Sequence, residues 1–394
     1  MVKWCQAPFV SQVLKGVKKL FSISDTKGAW HLLRQYTSIG GQAVIEGVMM
    51  RSPNAFVVAV RKPDGEIRLR RDQWFGLSNK FPFFKKPFFR GVLMLVEAMA
   101  NGIVSLNYSA NIAMDEEEKE KALKKGKTLE EYEASKKKKE KIDWQTFLTI
   151  AASFGFGMFL FVFVPHALTY GIDEVFKLNW DLDGFAFHFV DGVIKAFIFI
   201  FYIWCIGLIP DVRRVFQYHG AEHKSIATFE AGEELTVENA KKYSTLHPRC
   251  GTSFIFFLLF ISIIIFSVLF TVVPVGQGLP VILKHILAVV VKIFCMLPVA
   301  GISYEIIKLA GKHPNNIACK TLSFPGMMLQ KLTTKEPDSD QLEVALSSIK
   351  AVLALEEKHN LKDASKKVVT LDEVDIKALA DIQDTNQSLK DFLE

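Results

Sequence analysis

Residues 210–251, PDVRRVFQYHGAEHKSIATFEAGEELTVENAKKYSTLHPRCG, lie between two long apolar stretches and are rich in charged and metal-ligating groups. At their centre is an H-x-x-E-H pattern made by His219, Glu222 and His223. Residues three and four apart share one face of a helix, so the three side chains should project together. Two imidazoles at this spacing can hold one metal ion, and the carboxylate between them can act as general base on a metal-bound water.

A second pair of ligand types, His247 and Cys250, follows just before the next apolar stretch. Short H-x-x-E-H matches also arise by chance, and the alternative is a cytosolic helix whose histidines and glutamate are merely solvated. The clustering favours a site, because three of the nine histidines and one of the five cysteines fall within residues 219–250. The sequence therefore predicts a metal or catalytic centre in this segment.

The composition is that of a membrane protein. Of the 394 residues, 50% are hydrophobic, and 33 phenylalanines concentrate in particular segments, which indicates contact with lipid. The net charge of +6 is modest and unevenly placed, so nucleic acid is not the expected partner. Five cysteines, an odd number without framework spacing, argue against a disulfide scaffold. The basic N-terminus has no apolar core of the kind that a signal peptide needs.

Four transmembrane helices are predicted, at 147–169, 193–209, 252–275 and about 281–302. The 171–185 loop holds four acidic residues and one lysine, whereas the 210–251 loop holds six lysine and arginine residues. Because cytosolic loops carry an excess of lysine and arginine, we expect residues 210–251 and both termini to lie in the cytosol. The chain is thus predicted to be a multi-pass protein of the cell membrane.

The regions outside the membrane predict a small α+β domain. Residues 56–70 indicate two strands joined by a turn at Pro63-Asp64-Gly65, in which proline and glycine supply the required dihedral angles. Before them, a glycine-rich stretch holds Glu46 and Arg51, and the two stretches together predict a β unit of about three strands. The plainer interpretations of Glu46 and Arg51 are a solvated turn carboxylate and a surface arginine. Helix 88–114 is too polar for a confident transmembrane prediction and is expected to be interfacial or buried.

The expected fold is an α-helical polytopic membrane protein with about four transmembrane helices. Its cytosolic α+β domain would be built from the N-terminal region, the 210–251 loop and the C-terminal helix. The predicted segments are a basic extension (1–36), a β unit with an amphipathic helix (37–114), a charged linker (115–141), transmembrane helices 1–2 (142–209), the cytosolic loop (210–251), transmembrane helices 3–4 (252–311), a cytosolic amphipathic helix (312–358) and a mobile tail (359–394).

Several long motifs resemble one family: GGQAVIEGVMMRSP (40–53), PDVRRVFQYHGAEHK (210–224), LTVENAKKYSTLHPRCGTSF (235–254) and LQKLTTKEPDSDQLEVAL (329–346). They are similar to the YqhQ-like family (DUF1385) of uncharacterised bacterial membrane proteins, described as predicted metal-dependent enzymes. The resemblance implies that His219 and His223 are ligands of a divalent metal of the zinc type, with Glu222 as general base or further ligand. Either His247 or Cys250 would complete the shell, so two ligand sets, His-His-Cys and three histidines, stay open.

The function expected from these features is metal-dependent hydrolysis at the cytosolic face of the membrane. Glu46 would contribute to catalysis from outside the loop, and Arg51 and Arg249 would bind an anionic substrate such as a lipid head group. Two alternatives compete: a transporter or channel lined by ionisable residues of the fourth transmembrane segment, and a scaffold or regulator with a structural metal. The partners expected are the bilayer and an anionic or membrane-associated substrate; the oligomeric state is left open.

Overall fold

The computed structural model describes residues 39–52, 55–73, 83, 86–124, 144–181, 184–247, 250–273, 276, 278–312, 317–358 and 372–383. Its strands are β1 (Gly40–Val44), β2 (Gly47–Arg51), β3 (Ala55–Arg61), β4 (Ile67–Gln73) and β5 (Asp372–Ile376). Its helices are α1 (Phe89–Lys124), α2 (Trp144–Met158), α3 (Val164–Phe176), α4 (Phe185–Ile206), α5 (Pro210–Ala231), α6 (Val237–Lys241), α7 (Gly251–Val272), α8 (Val281–Lys312), α9 (Ile317–Thr333) and α10 (Ser339–Lys358). A π-helical turn, Phe159–Phe163, joins α2 to α3, and a 3₁₀ turn, Leu379–Gln383, follows β5.

The five strands form one antiparallel sheet in the order β1-β2-β3-β4-β5. The turn predicted at Pro63-Asp64-Gly65 joins β3 to β4, and Gly65 adopts a φ of +92°, which glycine tolerates because it has no Cβ. A two-residue turn, Ile45-Glu46, joins β1 to β2. The sequence therefore placed the central hairpin correctly and predicted about three strands, whereas the described sheet has five.

Both faces of the sheet are covered, because successive strand residues point to opposite sides. On one face, Val57 packs with Leu346 of α10 and Ala221 of α5. On the other face, Phe56 packs with Ile112 of α1. Each side chain of this size contributes roughly 1.5–3 kcal/mol when fully buried. The candidate site therefore lies in a three-layer unit. Helices α5 and α10 form one outer layer, the sheet is the middle layer, and α1 is the other outer layer.

The C-terminal region departs from the prediction. Within the segment predicted as a mobile tail, Asp372–Ile376 forms strand β5 and pairs with β4. Asp375 accepts two hydrogen bonds from Arg68, at 2.8 Å each, so opposite charges on facing strands hold this edge together. The single helix predicted over 312–358 is two helices, α9 and α10.

Three predicted segments lie largely or wholly outside the described residues, and shorter gaps fall in the others. The basic extension 1–36 is wholly outside them, as are 125–141 of the charged linker and 359–371 and 384–394 of the tail. Within the linker, α1 continues to Lys124.

Five helices, rather than the four predicted, are long and apolar enough to cross a membrane among the residues described. The additional candidate is Phe89–Met114 in α1, which was judged too polar for a span. Its few polar residues are outweighed by apolar ones, so the mean hydropathy of the segment is high enough for a membrane span despite its individual charges. The other candidates are Ala151–Phe176, Phe185–Ile206, Ser253–Val272 and Ile286–Leu309.

Two of the candidate membrane helices, α4 and α7, approach each other closely at Gly192. A Cβ added to Gly192 of α4 would lie 2.7 Å from Cγ1 of Ile263 in α7, so only glycine allows this approach. On its other side, α7 packs against α8 through Phe270 and Val299, both of them fully buried. α7 also contacts α9, and this contact connects the apolar helices to the domain that holds the sheet.

Candidate metal centre

Helix α5 positions the central motif. It begins with Pro210, which favours the first helical turn because its missing N–H has no intrahelical partner there. It ends at Gly232, whose left-handed φ of 72° is typical of a helix C-terminus. Between these ends Glu222 and His223 are buried, although both are polar. Buried polar groups require partners, and the neighbouring elements supply them.

Three of the predicted residues come together. His219, His223 and Cys250 each offer a ligand atom, and these atoms all lie within 4.8 Å of one another. The His219 Nε2 to Cys250 Sγ distance is 3.2 Å, and the two imidazole rings lie 4.5 Å apart. Cys250 comes directly before α7, so the cluster joins one turn of α5 to the entrance of an apolar helix.

Backbone carbonyls fix the orientation of both histidines. His219 Nδ1 lies 2.9 Å from the Thr333 carbonyl oxygen, and His223 Nδ1 lies 2.5 Å from that of Thr245. A carbonyl oxygen can only accept, so each Nδ1 carries the proton and each Nε2 presents a lone pair. His223 Nε2 is buried and has no hydrogen-bond partner in the described part of the chain. This arrangement, with the outer nitrogen held and the inner one available, is typical of metal-ligating histidines.

The segment that directly follows Thr333, the last residue of α9, approaches α5 closely. A Cβ on Gly220 would lie only 2.1 Å from the Lys335 carbonyl oxygen, so the approach depends on glycine. The Lys335 N–H donates to the Phe216 carbonyl at 2.9 Å, and the buried Lys224 pairs with Glu336. Sequence analysis missed these residues; the glycine within H-G-A-E-H was the one available signal.

Gln330 of α9 holds the other side of the cluster and was also missed. Its side chain is fully buried, accepts from the His247 N–H at 2.9 Å and donates to the His247 carbonyl at 2.8 Å. It also donates to Ser253 Oγ at 3.0 Å. These bonds bracket Cys250 on both sides, so Gln330 fixes the loop that presents the thiol.

His247 lies beside the cluster but faces away from it. Its ring centre is 5.7 Å from that of His223, while its Nε2 lies 3.4 Å from a carboxylate oxygen of Glu230. Of the two ligand sets left open by the sequence, the structure brings together His-His-Cys. The three-histidine set would require His247 to leave Glu230 and turn.

Glu222 lies against strand β1. A Cβ on Gly41 would come within 2.8 Å of Glu222 Cγ, and the Gly41 N–H donates to the Glu222 carboxylate. Burial raises the pKa of Glu222, and nearby His219 and His247 oppose this effect. The buried carboxylate is thus electrostatically coupled to the cluster, and β1 packs directly on the helix that carries the motif.

The remaining predicted residues are not in the cluster. Glu46 accepts two hydrogen bonds from Arg214, at 2.6 Å each, and one from Tyr218 Oη at 3.3 Å, so it fastens the β1–β2 turn to α5. Arg51 donates to Glu97 of α1 at 3.1 Å, on the sheet face opposite α5. Arg249 lies outside the described residues.

These features define a multi-pass membrane protein in which a sheet-containing domain buries a cluster of two histidines and one cysteine. Residues 86–355 match the model of the family described as "Protein of unknown function (DUF1385)", and the chain belongs to this family. It is 37% identical over 327 residues to "Uncharacterized protein YqhQ" of Bacillus subtilis (strain 168), an alignment covering 80% of this chain and 92% of that protein. No solved structure matches the chain.

Proposed function

We propose that this membrane protein binds one zinc-type divalent ion through His219, His223 and Cys250 and uses it for hydrolysis. The observation that carries the proposal is the orientation of the two histidines. Their Nδ1 atoms donate to backbone carbonyls, and a ligand atom of each histidine lies within 4.8 Å of the other and of the Cys250 sulfur. Two imidazoles and a thiolate suit zinc, which takes nitrogen and sulfur ligands in tetrahedral geometry.

The number of ligands favours a catalytic site over a structural one. A structural zinc has four protein ligands, whereas a catalytic zinc has three and keeps one position for water. His247 is the natural fourth ligand, but its Nε2 faces Glu230. The set of three is therefore the composition expected for a zinc ion that activates water.

Glu222 is the proposed general base. It lies one position before His223 on α5, and its carboxylate is buried rather than solvated. The Gly41 N–H fixes the carboxylate through the sheet, so the base and the ligands are held by different elements of one domain. Proton transfer by a positioned side chain typically contributes about 100- to 10,000-fold to a rate.

The proposed substrate is an anionic or membrane-associated molecule reached from the cytosol. Cys250 directly precedes α7, a candidate membrane helix, so the cluster is close to the bilayer surface. The six lysine and arginine residues within 210–251 favour the cytosolic side for α5 and for the sheet and α10, which pack on it. Substrate recognition is not assigned to Arg51, because the sheet separates it from the cluster.

Metal content of the purified protein tests the site. Wild-type protein loaded with zinc and dialysed should retain about one ion per chain, whereas His219→Ala and His223→Ala should each lose it. Cys250→Ser should bind more weakly, because serine is a poor zinc ligand. With cobalt in place of zinc, it should also lose the thiolate-to-metal charge-transfer band.

Two variants serve as controls. Glu222→Gln should keep the metal and lose turnover, because a base is not a ligand. His247→Ala should keep the metal, since its imidazole faces Glu230. Equal metal content in wild type and the three ligand variants would refute the site. Loss of the ion in His247→Ala as well would indicate four protein ligands and a structural metal.

A further inference from the structure

A second cluster of ionisable groups lies among the candidate membrane helices, away from the histidine–cysteine cluster. Asp191 of α4 is 2% exposed and accepts a hydrogen bond from Lys292 of α8 at 3.1 Å. Lys195, one turn further along α4, places its Nζ 3.5 Å from the same carboxylate oxygen. His166 of α3 lies 3.9 Å from the other carboxylate oxygen. Ionisable groups at membrane depth are rare and usually functional.

These groups lie well inside the apolar stretches. Asp191 and Lys195 follow the start of the span Phe185–Ile206 by about 9 and 15 Å, at about 1.5 Å per residue. Lys292 is about 9 Å into Ile286–Leu309, on the same criterion. The hydrocarbon core of a bilayer is about 30 Å thick, so neither lysine is at the water boundary.

The charges in this cluster do not balance. One carboxylate, Asp191, faces two ammonium groups, Lys195 and Lys292, while His166 and His188 are the other titratable side chains that α3 and α4 contribute. Helix α7, packed against both α4 and α8, contains no charged residue. With neutral histidines the cluster carries one excess positive charge at membrane depth, where a charge without a counter-ion is costly.

His188 supplies a second, independent observation. It is 3% exposed, and neither of its ring nitrogens has a hydrogen-bond partner in the described ranges. The centre of its ring lies 4.3 Å from that of the Phe270 ring, and the Lys292 ammonium lies 5.7 Å from the centre of the Phe270 ring. An imidazole N–H without an acceptor therefore lies next to the excess positive charge. Both require the same thing, a small anion.

We propose that Lys195, Lys292 and His188 form an intramembrane binding site for a monovalent inorganic anion of about the size of chloride. The ammonium groups supply charge and donors, the imidazole supplies a further N–H donor, and Asp191 holds the two lysines in place. The ring of Phe270 forms the apolar wall. This site shares no residue with the metal centre, so it stands whether or not that centre binds zinc.

Thermal unfolding of the full chain in detergent or lipid nanodiscs tests the proposal. At fixed pH and ionic strength, replacing sodium gluconate by sodium chloride or bromide should raise the midpoint with saturation, by roughly 3–5 °C at 100 times the dissociation constant. Lys195→Met removes the excess charge and leaves the Asp191–Lys292 pair intact. It should therefore be at least as stable as wild type in gluconate and should lose the halide response.

The matched control is Lys284→Met, which removes a lysine of α8 outside this cluster and should keep the wild-type halide response. An equal midpoint in gluconate and chloride would overturn the proposal. So would a halide response that persists in Lys195→Met. A midpoint that varies with pH but not with halide would mean that one lysine is neutral, and it would overturn the proposal as well.

Discussion

Replacing Gly220 by alanine separates the geometry of the metal centre from its ligand chemistry. In an unconstrained helix this change stabilises by about 1 kcal/mol, because alanine loses less conformational freedom than glycine. Here the added Cβ would lie 2.1 Å from the Lys335 carbonyl oxygen and 3.2 Å from Thr245 Cγ2. Since the nearer atom belongs to the backbone, it cannot rotate away. The segment after α9 must move by roughly 1 Å to reach an ordinary contact distance, and overpacking of this kind costs about 1–3 kcal/mol.

The displacement should have a second effect at the metal centre. The moving segment begins directly after Thr333, the last residue of α9, whose carbonyl orients His219. Loss of an outer partner of this kind typically lowers metal affinity about 10- to 100-fold. We therefore expect Gly220→Ala to unfold at a lower temperature than wild type and to bind zinc more weakly, although all three ligands are present.

Gly251→Ala is the matched control, because it lies directly after Cys250 and its added Cβ would meet nothing within 4 Å. It should be at least as stable as wild type and should retain wild-type zinc affinity. Thermal unfolding and competition with a zinc chelator measure the two quantities. A Gly220→Ala protein as stable as wild type, with unchanged zinc affinity, would refute the reasoning from the close approach.

Two further variants test the surroundings of the site. Gln330→Leu removes three hydrogen bonds and leaves the buried His247 N–H and carbonyl unpaired, so unfolding should become easier by about 3 kcal/mol and zinc affinity should fall. Asp375→Asn tests the sheet edge, where hydrogen bonds from Arg68 and then Lys62 lower the pKa of Asp375 to about 2. The pKa of Asp375 in the folded protein lies below its unfolded value of about 3.9. The ionised carboxylate therefore stabilises the fold above about pH 3.9, and this contribution disappears as the pH falls through about 2. After allowance for solvent screening, the variant should lose about 1 kcal/mol at pH 7 and nothing near pH 2, as measured by thermal unfolding and by hydrogen exchange of β5. An equal loss at both pH values would contradict the ion-pair account.

The sequence was sufficient to predict which residues come together at the candidate metal centre, because the signal is local. His219 and His223 are held one turn apart by a single helix, and Cys250 follows in the same loop. The choice between Cys250 and His247 could not be made, since it depends on the position of Glu230. The orienting groups are the carbonyls of Thr245 and Thr333, and any residue type offers a carbonyl. Their contribution is therefore invisible in the sequence.

The fold was predictable where the sequence pattern is local, and not where strands that pair lie far apart in the sequence. The β3–β4 hairpin has its turn residues between its strands and was found. Strand β5 lies some 300 positions from its partner Arg68. Its acidic residues complement the basic β4, but charge complementarity alone gives no register. Helix α1 was left out of the candidate spans because its polar residues were counted without knowing that Glu97, Asn101, Ser105 and Ser109 share its buried face.

The two faces of α1 restrict how the chain can cross a bilayer. Its inner face contacts the sheet along 97–112, about 22 Å of helix, and the opposite face of the same sheet rests on α5. The chain between β4 and α5 therefore starts and ends on the same side of the membrane. A segment that does so must cross the membrane an even number of times. Three candidate spans lie between β4 and α5, so they cannot all traverse.

Helix α1 is the one that is fastened to the sheet, and its free face is the apolar one. Val96, Met99 and Ile103 are exposed there at helical spacing, while the buried face is polar. A helix with this inverted pattern is suited to lying flat, with its outer side chains among the lipid head groups and acyl ends. Arg90 at its start is paired with Glu305 near the end of α8, which ties this helix to the rim of the bundle. The sheet domain would then lie against the membrane surface, with α1 between the sheet and the lipid.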